Sequence, residues 1–263
     1  KLVTAKQTVI QAATTYCATF SYDYTAAVPV NRTDPTQLLI KLDGETLKPG
    51  SQYGKETLPT AKVAGQSFDV TVRAVDLYWN LTTSYVAAPL NEAVNLYAND
   101  QYNTYTAGNK MQVNLTNGEG VFTWTGGFVS RSDTGWKITV NDDNPALPNL
   151  TSTNTTSVPV QSGVANSIQV LLPGEDAVWG KNTVPYGKSS NIQAQYAGVT
   201  FPVRVNAVDS NYNRNDNEIS TLQVYTNSDS YDDLPLAYQE AGLIGGQATF
   251  YMTLFTASTS HVI

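Results

Sequence analysis

The chain of 263 residues contains two copies of one sequence pattern, and this repeat limits the fold more than any other feature. The segment "AGQSFDVTVRAVDLYWN" at residues 64–80 matches "AGVTFPVRVNAVDSNYN" at residues 197–213, an offset of 133 residues. "VPV" at residues 28–30 recurs at residues 158–160 with an offset of 130, and later matches have an offset of 128. The offset changes only between predicted strands, as loop insertions and deletions require. Two copies of one domain follow.

Each copy has the pattern of a β-sheet protein. Apolar residues alternate with polar ones in the best-matched strand of each copy, which predicts one buried face and one solvated face. These apolar positions are Phe68, Val70, Val72 and Ala74 in the first copy, and Phe201, Val203, Val205 and Ala207 in the second. No stretch has helical spacing, and turn motifs recur every 8–12 residues or so. The sequence therefore predicts an all-β fold of two tandem immunoglobulin-like β-sandwich domains with an N-terminal extension strand.

The repeat also predicts the domain boundaries. Residues 1–27 form an N-terminal donor strand and linker, residues 28–144 the first domain, and residues 158–263 the second domain with a missing or short closing strand. The Asn, Thr and Pro-rich residues 145–157 are predicted to be an extended linker.

The motif "AGxxFxVxVxAVD", followed shortly by Asn and preceded by "LLPGE" in the second copy, resembles the tandem Ig-like repeats of large secreted bacterial surface proteins, which include subunits of extracellular filaments. The resemblance covers both copies, roughly residues 28–263. It implies an extracellular, cell-surface protein with a structural or adhesive role. It brings no catalytic residues with it.

Charge and hydropathy exclude two kinds of partner. The net charge is −7, the pI is about 4.6 and the basic residues are scattered, which argues against nucleic acid. No apolar run approaches 18 residues, so no membrane span is predicted. The chain begins at Lys1 without Met or an apolar signal core, which fits a processed protein or an excised fragment.

An enzymatic function is not expected. The single histidine, His261, is the third residue from the end of the sequence, and no HExxH, CxxC, P-loop or GxGxxG motif is present. The 22 acidic residues could include the carboxylate pair of a glycosidase, but none stands in a distinctive setting. No cofactor is predicted.

A calcium loop is the one metal site that the sequence suggests. Its candidate ligands are Asp209, Asn211, Asn213 and Asp216 in "DSNYNRND". The first copy keeps only Asp76 and Asn80 of this pattern, and the second lacks the Gly and the twelfth-position Glu of an EF-hand. A polar loop whose Asp and Asn side chains cap its turns is therefore the favoured interpretation, and calcium the less favoured one.

Five sequons are candidate acceptors for N-linked glycans. They begin at Asn31, Asn80, Asn114, Asn149 and Asn154. The single cysteine, Cys17, cannot form an internal disulfide, so it is interpreted as a buried apolar residue or as an intermolecular cross-link.

Aromatic residues in predicted loops suggest carbohydrate binding as a further alternative, with ordinary packing and protein contacts favoured over it. These residues are Tyr78, Trp79, Tyr102, Tyr105 and Tyr231.

The ends of the two copies differ. Trp136–Val140 is the predicted final strand of the first copy, whereas the second reaches "TASTSHVI" with that strand missing or reduced to His261–Ile263. Thr8–Gln11 matches Ile138–Asn141 at an offset of 130, so the N-terminal segment corresponds to the closing strand of a preceding domain. The predicted donor residues are Val3, Thr8, Val9 and Ile10, and the predicted acceptor residues are Phe250, Met252, Leu254 and Val262.

The resulting hypothesis is a structural subunit of an extracellular filament. Each protein molecule would donate its N-terminal β-strand into the second domain of a neighbouring molecule, giving a head-to-tail homopolymer. The main alternative is a fragment of a long covalent array of such domains in an adhesin or surface protein, and a carbohydrate-binding module is the second alternative.

Overall fold

The protein is all-β in the part of the chain that the structure describes. The structure is a computed structural model, and it describes residues 3–12, 23–144, 148–226, 229, 231, 238–258 and 263. These residues contain strands and turns, and none of them forms a helix that could cross a membrane.

The strands fall into three groups along the chain. The N-terminal group is β1 (Gln7–Thr8), β2 (Gln11–Ala12), β3 (Asp23–Tyr24) and β4 (Val28–Pro29). The middle group is β5 (Gln37–Leu42), β6 (Thr46–Leu47), β7 (Lys55–Glu56), β8 (Lys62–Val63), β9 (Phe68–Val75), β10 (Ser84–Tyr85), β11 (Ala88–Pro89), β12 (Ala93–Ala98), β13 (Met111–Asn114), β14 (Glu119–Trp124), β15 (Ser132–Trp136), β16 (Ile138–Asn141), β17 (Thr153–Asn154) and β18 (Val158–Gln161). The last group is β19 (Ser167–Leu171), β20 (Phe201–Val208), β21 (Thr221–Val224), β22 (Gln239–Gly242) and β23 (Gln247–Met252).

The described residues of 31–162, here called the first unit, form a β-sandwich. One sheet has the strand order β14-β9-β5 and another the order β13-β12-β16-β17. Alternate residues of both sheets enter one hydrophobic cluster, which confirms the alternation predicted for β9. Val70, Val72 and Ala74 are buried there, whereas Phe68 is partly buried at the margin.

The predicted linker is wrong, because residues 148–157 belong to the first unit. Leu150 is buried in the first cluster, and the backbone of Thr151 bonds to the strand beginning at Gln37. β17 pairs with β16, and β18 pairs with both β15 and β8. Val158 and Val160, which were assigned to the second domain, are fully buried in the first cluster. The pattern "VPVQ" alternates as a strand, and its apolar face finds its partner in the unit that precedes it.

The described residues of 163–263, here called the second unit, repeat part of this arrangement. The sheet β19-β20-β23 corresponds to β5-β9-β14, and the pair β21-β22 corresponds to β12-β13. Their apolar residues form a second cluster, which is smaller than the first. Within the described residues, no strands stand in the places of β16, β17 and β18.

Leu150→Ala tests whether residues 148–161 are part of the first unit. Removing this buried side chain should lower the free energy of unfolding by about 2–5 kcal/mol, because it leaves a cavity in the core. Urea denaturation measures the change, with the exposed Ser152→Ala as the control. Equal stability of the two variants would mean that this segment is a linker after all.

Candidate functional site: an open sheet face and the joints between units

The first unit is completed by a hairpin at its end, here called the closing hairpin and defined as the described residues of 132–161. β16 of this hairpin pairs with β12, and Ile138 is fully buried. The N–H of Leu38 on β5 donates to the carbonyl of Thr151, 3.0 Å away. Leu38 itself is 0% exposed. The hairpin therefore pairs with a strand of each sheet, β12 and β5, and it adds Ile138 to the cluster in which Leu38 is buried.

The corresponding face of the second unit is open among the described residues. Ile168 on β19 holds the place of Leu38, at the offset of 130, and it is 56% exposed. Val170 and Leu172 are only partly buried, although their counterparts in the first unit are fully buried. We call Ile168, Val170 and Leu172, together with Leu222 on β21, the open face.

The N-terminal residues fold as a second version of the closing hairpin. In the N-terminal hairpin, defined as residues 3–12 and 23–30, the N–H of Ile10 donates to Thr25 Oγ1 and the N–H of Thr25 donates to the Ile10 carbonyl, both at 3.0 Å. Ile138 and Thr155 exchange the same two bonds, at 3.0 and 2.8 Å. β2 then pairs with β3 as β16 pairs with β17.

The predicted register of this hairpin is wrong by two residues. Thr8 pairs with Val28 as Trp136 pairs with Val158, so Ile10 rather than Thr8 corresponds to Ile138. The difference arises in the connection between the paired strands. Ala12 and Asp23 are 11 residues apart in the N-terminal hairpin, whereas the equivalent pair Val140 and Thr153 are 13 apart, so the offset of 130 that holds for β3 and β4 becomes 128 for β2. A match of sequence letters could not detect it.

The corrected register divides the predicted donor residues into positions whose counterparts face the core and positions whose counterparts face solvent. Ile10 is 51% exposed, although its counterpart Ile138 is fully buried, so Ile10 has an apolar side chain suited to a core that it does not enter in this chain. Val28 is likewise exposed where Val158 is fully buried. Val9 instead corresponds to the exposed Lys137, which is an outward position.

The predicted acceptor residues are wrong in position. Phe250 and Met252 are buried in the second cluster, where β23 pairs with β20. Leu254 packs at the margin of that cluster, and Val262 lies outside the described residues. The uncovered apolar surface lies on β19 and β21 instead. The offset of 130 residues, which aligns Leu38 with Ile168, is the sequence signal that could have identified β19 as the acceptor surface.

Asp76 and Asn80 form a joint between the N-terminal hairpin and the first unit. The Asp76 carboxylate accepts hydrogen bonds from the backbone of Asn80 and from its Nδ2 atom. Asn80 Nδ2 also donates to the Val3 carbonyl, and the Ala5 N–H donates to Asn80 Oδ1, each at 2.8 Å. One buried amide thereby holds two backbone groups of the hairpin.

The same joint lies between the two units. The Asp209 carboxylate accepts from the backbone and Nδ2 of Asn213. Asn213 Nδ2 donates to the Val129 carbonyl and the Arg131 N–H donates to Asn213 Oδ1, again at 2.8 Å. Residues 3–5 thus contact the first unit as residues 129–131 contact the second.

Close packing of a glycine accompanies both joints. Gly50 has φ +84° beside Thr4, and Gly180 has φ +80° beside Ser130. A Cβ atom on Gly180 would lie 2.1 Å from Ser130 Oγ, so only glycine lets the two segments approach this closely.

An arginine adds charge to the joint between units. The Arg131 guanidinium bonds to Asp216 at 2.8 Å and stacks over the Trp179 ring at 4.8 Å. The hydrogen bond from Arg131 lowers the pKa of Asp216, and the bond to Asp216 in turn raises the pKa of Arg131.

These contacts account for the candidate calcium ligands. The Asp209 oxygens accept N–H bonds from Gly163, Asn211 and Asn213, and Asp216 pairs with Arg131. The loop is therefore built as the favoured interpretation describes, with Asp209 capping the turn. In the part of the chain that the structure describes, no group of three His, Cys, Asp or Glu side chains could hold a metal ion.

The joint also removes one predicted glycan site. Asn80 is 5% exposed and its Nδ2 atom is hydrogen-bonded to Asp76 and Val3, so the folded chain has no room for a glycan there. The other four candidate acceptors are exposed, and they remain predictions: Asn31, Asn114, Asn149 and Asn154.

Two of the loop aromatics have structural contacts, whereas Tyr231 is 76% exposed. Tyr105 packs edge-to-face on Trp124 at the margin of the first cluster. Trp79 lies against Gly54, and its Nε1 donates to the Gln52 carbonyl. Cys17 and His261 lie outside the described residues.

A second carboxylate in each unit holds the strand end that leads to the next joint. Asp100 accepts the N–H groups of Val129 and Ser130, at 2.8 and 2.9 Å, and the Ser130 hydroxyl. Asp229 accepts the N–H groups of Phe255 and Thr256, at 2.6 and 2.9 Å, and the Thr256 hydroxyl. The N–H of Thr256 is the main group that holds the pKa of Asp229 well below its ordinary value. We call these sites the Asp100 clamp and the Asp229 clamp.

Comparison with known proteins gives no family. No protein-family model matches the chain, and no curated protein matches it. Among solved structures, the chain is similar to trypsin-activated alpha-2-macroglobulin from Escherichia coli, with a TM-score of 0.31 and 12% identity over 90% of this chain. It spans 16% of the length of that structure.

Asn213→Ala tests the joint between the units. The change removes two hydrogen bonds to residues 129–131, each worth about 1 kcal/mol, so trypsin should cleave after Arg131 about tenfold faster or more. Mass spectrometry of timed digests measures the rate. Asn211→Ala, in the same loop, is the control because Asp209 bonds to its backbone. Equal cleavage of both variants would contradict the account of the joint.

Acid pH tests the Asp229 clamp. Because folding lowers the pKa of Asp229, its carboxylate stabilises the fold above the ordinary value of 3.8, and this contribution is lost as the pH falls below that value. The melting temperature of the natural chain should therefore fall more steeply from pH 5 to pH 2 than that of Asp229→Asn. Parallel curves for the two chains would show that the carboxylate does not stabilise the fold.

Proposed function

We propose that this chain is a structural subunit of an extracellular filament, in which the N-terminal hairpin of one copy completes the second unit of the next. One observation carries the proposal: Ile10 and Ile168 are about half exposed, whereas their counterparts Ile138 and Leu38 share one fully buried cluster. The chain thus contains a hairpin of the closing type and a face of the type that such a hairpin covers.

The hydrophobic effect supports this contact. Full burial of a large apolar side chain contributes about 1.5–3 kcal/mol, and six such side chains on the two surfaces are exposed or partly buried. They are Ile10, Val28, Ile168, Val170, Leu172 and Leu222. Pairing of β2 with β21, as β16 pairs with β12, would add backbone hydrogen bonds at a sheet edge.

The arrangement leads to a linear assembly. The donor surface lies on the N-terminal hairpin and the acceptor surface on the second unit, so the contact is heterologous and repeats head to tail. The two joints use the same bonds, and successive units would therefore follow one another in the same way within and between copies. Each copy would contribute two immunoglobulin-like sandwiches.

The second candidate is a segment of a long covalent array of such units in a surface protein. One observation favours it. Residues 3–5 bond to Asn80 of the first unit in the same way as residues 129–131 bond to Asn213 of the second unit, and the latter contact joins two units of one continuous chain. In that protein, the next part of the same chain would complete the second unit. The surface-exposed sequons fit an extracellular location for either function.

Substitutions on the two surfaces test donation between copies. Ile10→Asp and Ile168→Asp each place a carboxylate where the contact requires an apolar group, so each should abolish polymers in electron micrographs and light scattering. Both side chains are exposed in the single chain, so its melting temperature should stay within a few degrees of the natural value.

Two neighbouring exposed residues provide matched controls. Val9→Asp changes the outward position beside Ile10, and Ile219→Asp changes an exposed residue of the second unit away from β19. Both variants should polymerise normally. If the purified chain stays monomeric, or if Ile10→Asp polymerises like Val9→Asp, donation between copies is wrong and the covalent array remains.

A further inference from the structure

Two segments of this chain fit the same place in the fold. Residues 129–131 carry both the bonds to the Asp100 clamp and the bonds to Asn213. Residues 255–256 make the first set of bonds, to Asp229, and residues 3–5 make the second set, to Asn80. The two segments therefore each carry half of what one continuous strand does between the units.

A contact between copies would bring these segments into competition. The N-terminal hairpin reaches the open face through the strand that begins at residues 3–5, as the closing hairpin does through residues 129–131. In that contact, Val3 and Thr4 of the incoming copy would bond to Asp229 of its neighbour as Val129 and Ser130 bond to Asp100. The Asp229 carboxylate cannot bond both this pair and its present partners.

The side chains suit the exchange. Thr4, Ser130 and Thr256 stand at equivalent places, and each has a hydroxyl group. The hydroxyl groups of Ser130 and Thr256 each donate to the Oδ1 atom of their clamp at 2.8 Å. Thr4 Oγ1 donates to the Pro49 carbonyl at a longer 3.2 Å. The same backbone and hydroxyl donors are therefore available on the incoming strand.

The incoming strand has the additional contacts that favour it. Residues 3–5 continue into the hairpin that covers the open face, and they are held by Asn80 as well. Phe255 and Thr256 make the clamp bonds, and Ile263 packs partly buried against the second cluster. Ile263 thus contacts the cluster that the incoming hairpin would cover, and the larger apolar surface of the hairpin would displace it.

We propose that the Asp229 clamp is an exchange site, where Phe255 and Thr256 hold the carboxylate in the single chain and Val3 and Thr4 of a second copy replace them on assembly. This inference rests on the proposed function. Phe255 and Thr256 then act as a placeholder, which satisfies the buried Asp229 carboxylate until a partner arrives and sets a barrier that assembly must cross.

Hydrogen exchange of the whole chain, free and assembled, tests the exchange directly. On assembly, the amides of Phe255 and Thr256 should exchange about tenfold faster or more, and those of Val3 and Thr4 should become correspondingly protected. The amides of Val129 and Ser130 are the internal control, because the Asp100 clamp keeps its partners in both states.

Two hydroxyl deletions should change the assembly rate in opposite directions. Thr256→Val weakens the placeholder and should speed assembly by about threefold to tenfold, whereas Thr4→Val weakens the incoming strand and should slow it by a similar factor. Ser130→Ala, at the Asp100 clamp, should leave the rate unchanged. Light scattering after dilution into assembly buffer measures all three rates.

The outcomes separate the exchange from the proposed function. Polymers in which Phe255 and Thr256 stay protected, or a Thr256→Val chain that assembles no faster than the natural one, would overturn the exchange and leave strand donation standing. Absence of polymers from the natural chain would overturn both.

Discussion

The structure depends on a face of a sandwich that the preceding strands cannot cover by themselves. In the first unit, the apolar side of β5 is fully buried in a cluster that includes the closing hairpin, which follows β14 in the chain and pairs with β12. Residues 148–161, rich in Asn, Thr and Pro, serve this purpose rather than that of a linker. The same face on β19 keeps Ile168 exposed, and this difference between two otherwise matching units is the basis of the proposed assembly.

The joints connect the folding of each unit to the order of units along the chain. An Asp carboxylate orients an Asn side chain. The amide of that side chain then donates a hydrogen bond to one backbone carbonyl of the preceding segment and accepts one from a backbone N–H two residues later. Because the amide makes these bonds with backbone atoms, the joint accepts different residues there, such as Ala5 at one joint and Arg131 at the other. An identical joint can therefore be used repeatedly with different surface chemistry, including the ion pair of Arg131 with Asp216.

The repeat and the strand alternation could be predicted from the sequence, because alternation follows directly from the geometry of a pleated strand with one buried face. The sequence also predicted that the N-terminal segment corresponds to a closing strand. The register could not be predicted, because the connection between the paired strands is two residues shorter from Ala12 to Asp23 than from Val140 to Thr153, and the matched sequence letters do not show this. Residues 145–157 were predicted to be a linker because Pro145 and Pro148 suggest an extended chain. Burial of Leu150 in the first unit depends on contacts distant in sequence, which local composition does not report. Asn80 was a candidate glycan acceptor because a sequon reports sequence alone, and burial of its amide is a property of the folded joint.

The central claim is that the N-terminal hairpin of one copy completes the second unit of another. Electron cryo-microscopy of assembled material tests it most directly, because the path of residues 3–30 can be traced from one copy into the next. The account predicts that Ile10 of one copy lies beside Ile168 of its neighbour, with β2 paired along β21. Polymers in which the open face is covered by another part of the chain, or is left uncovered, would contradict it.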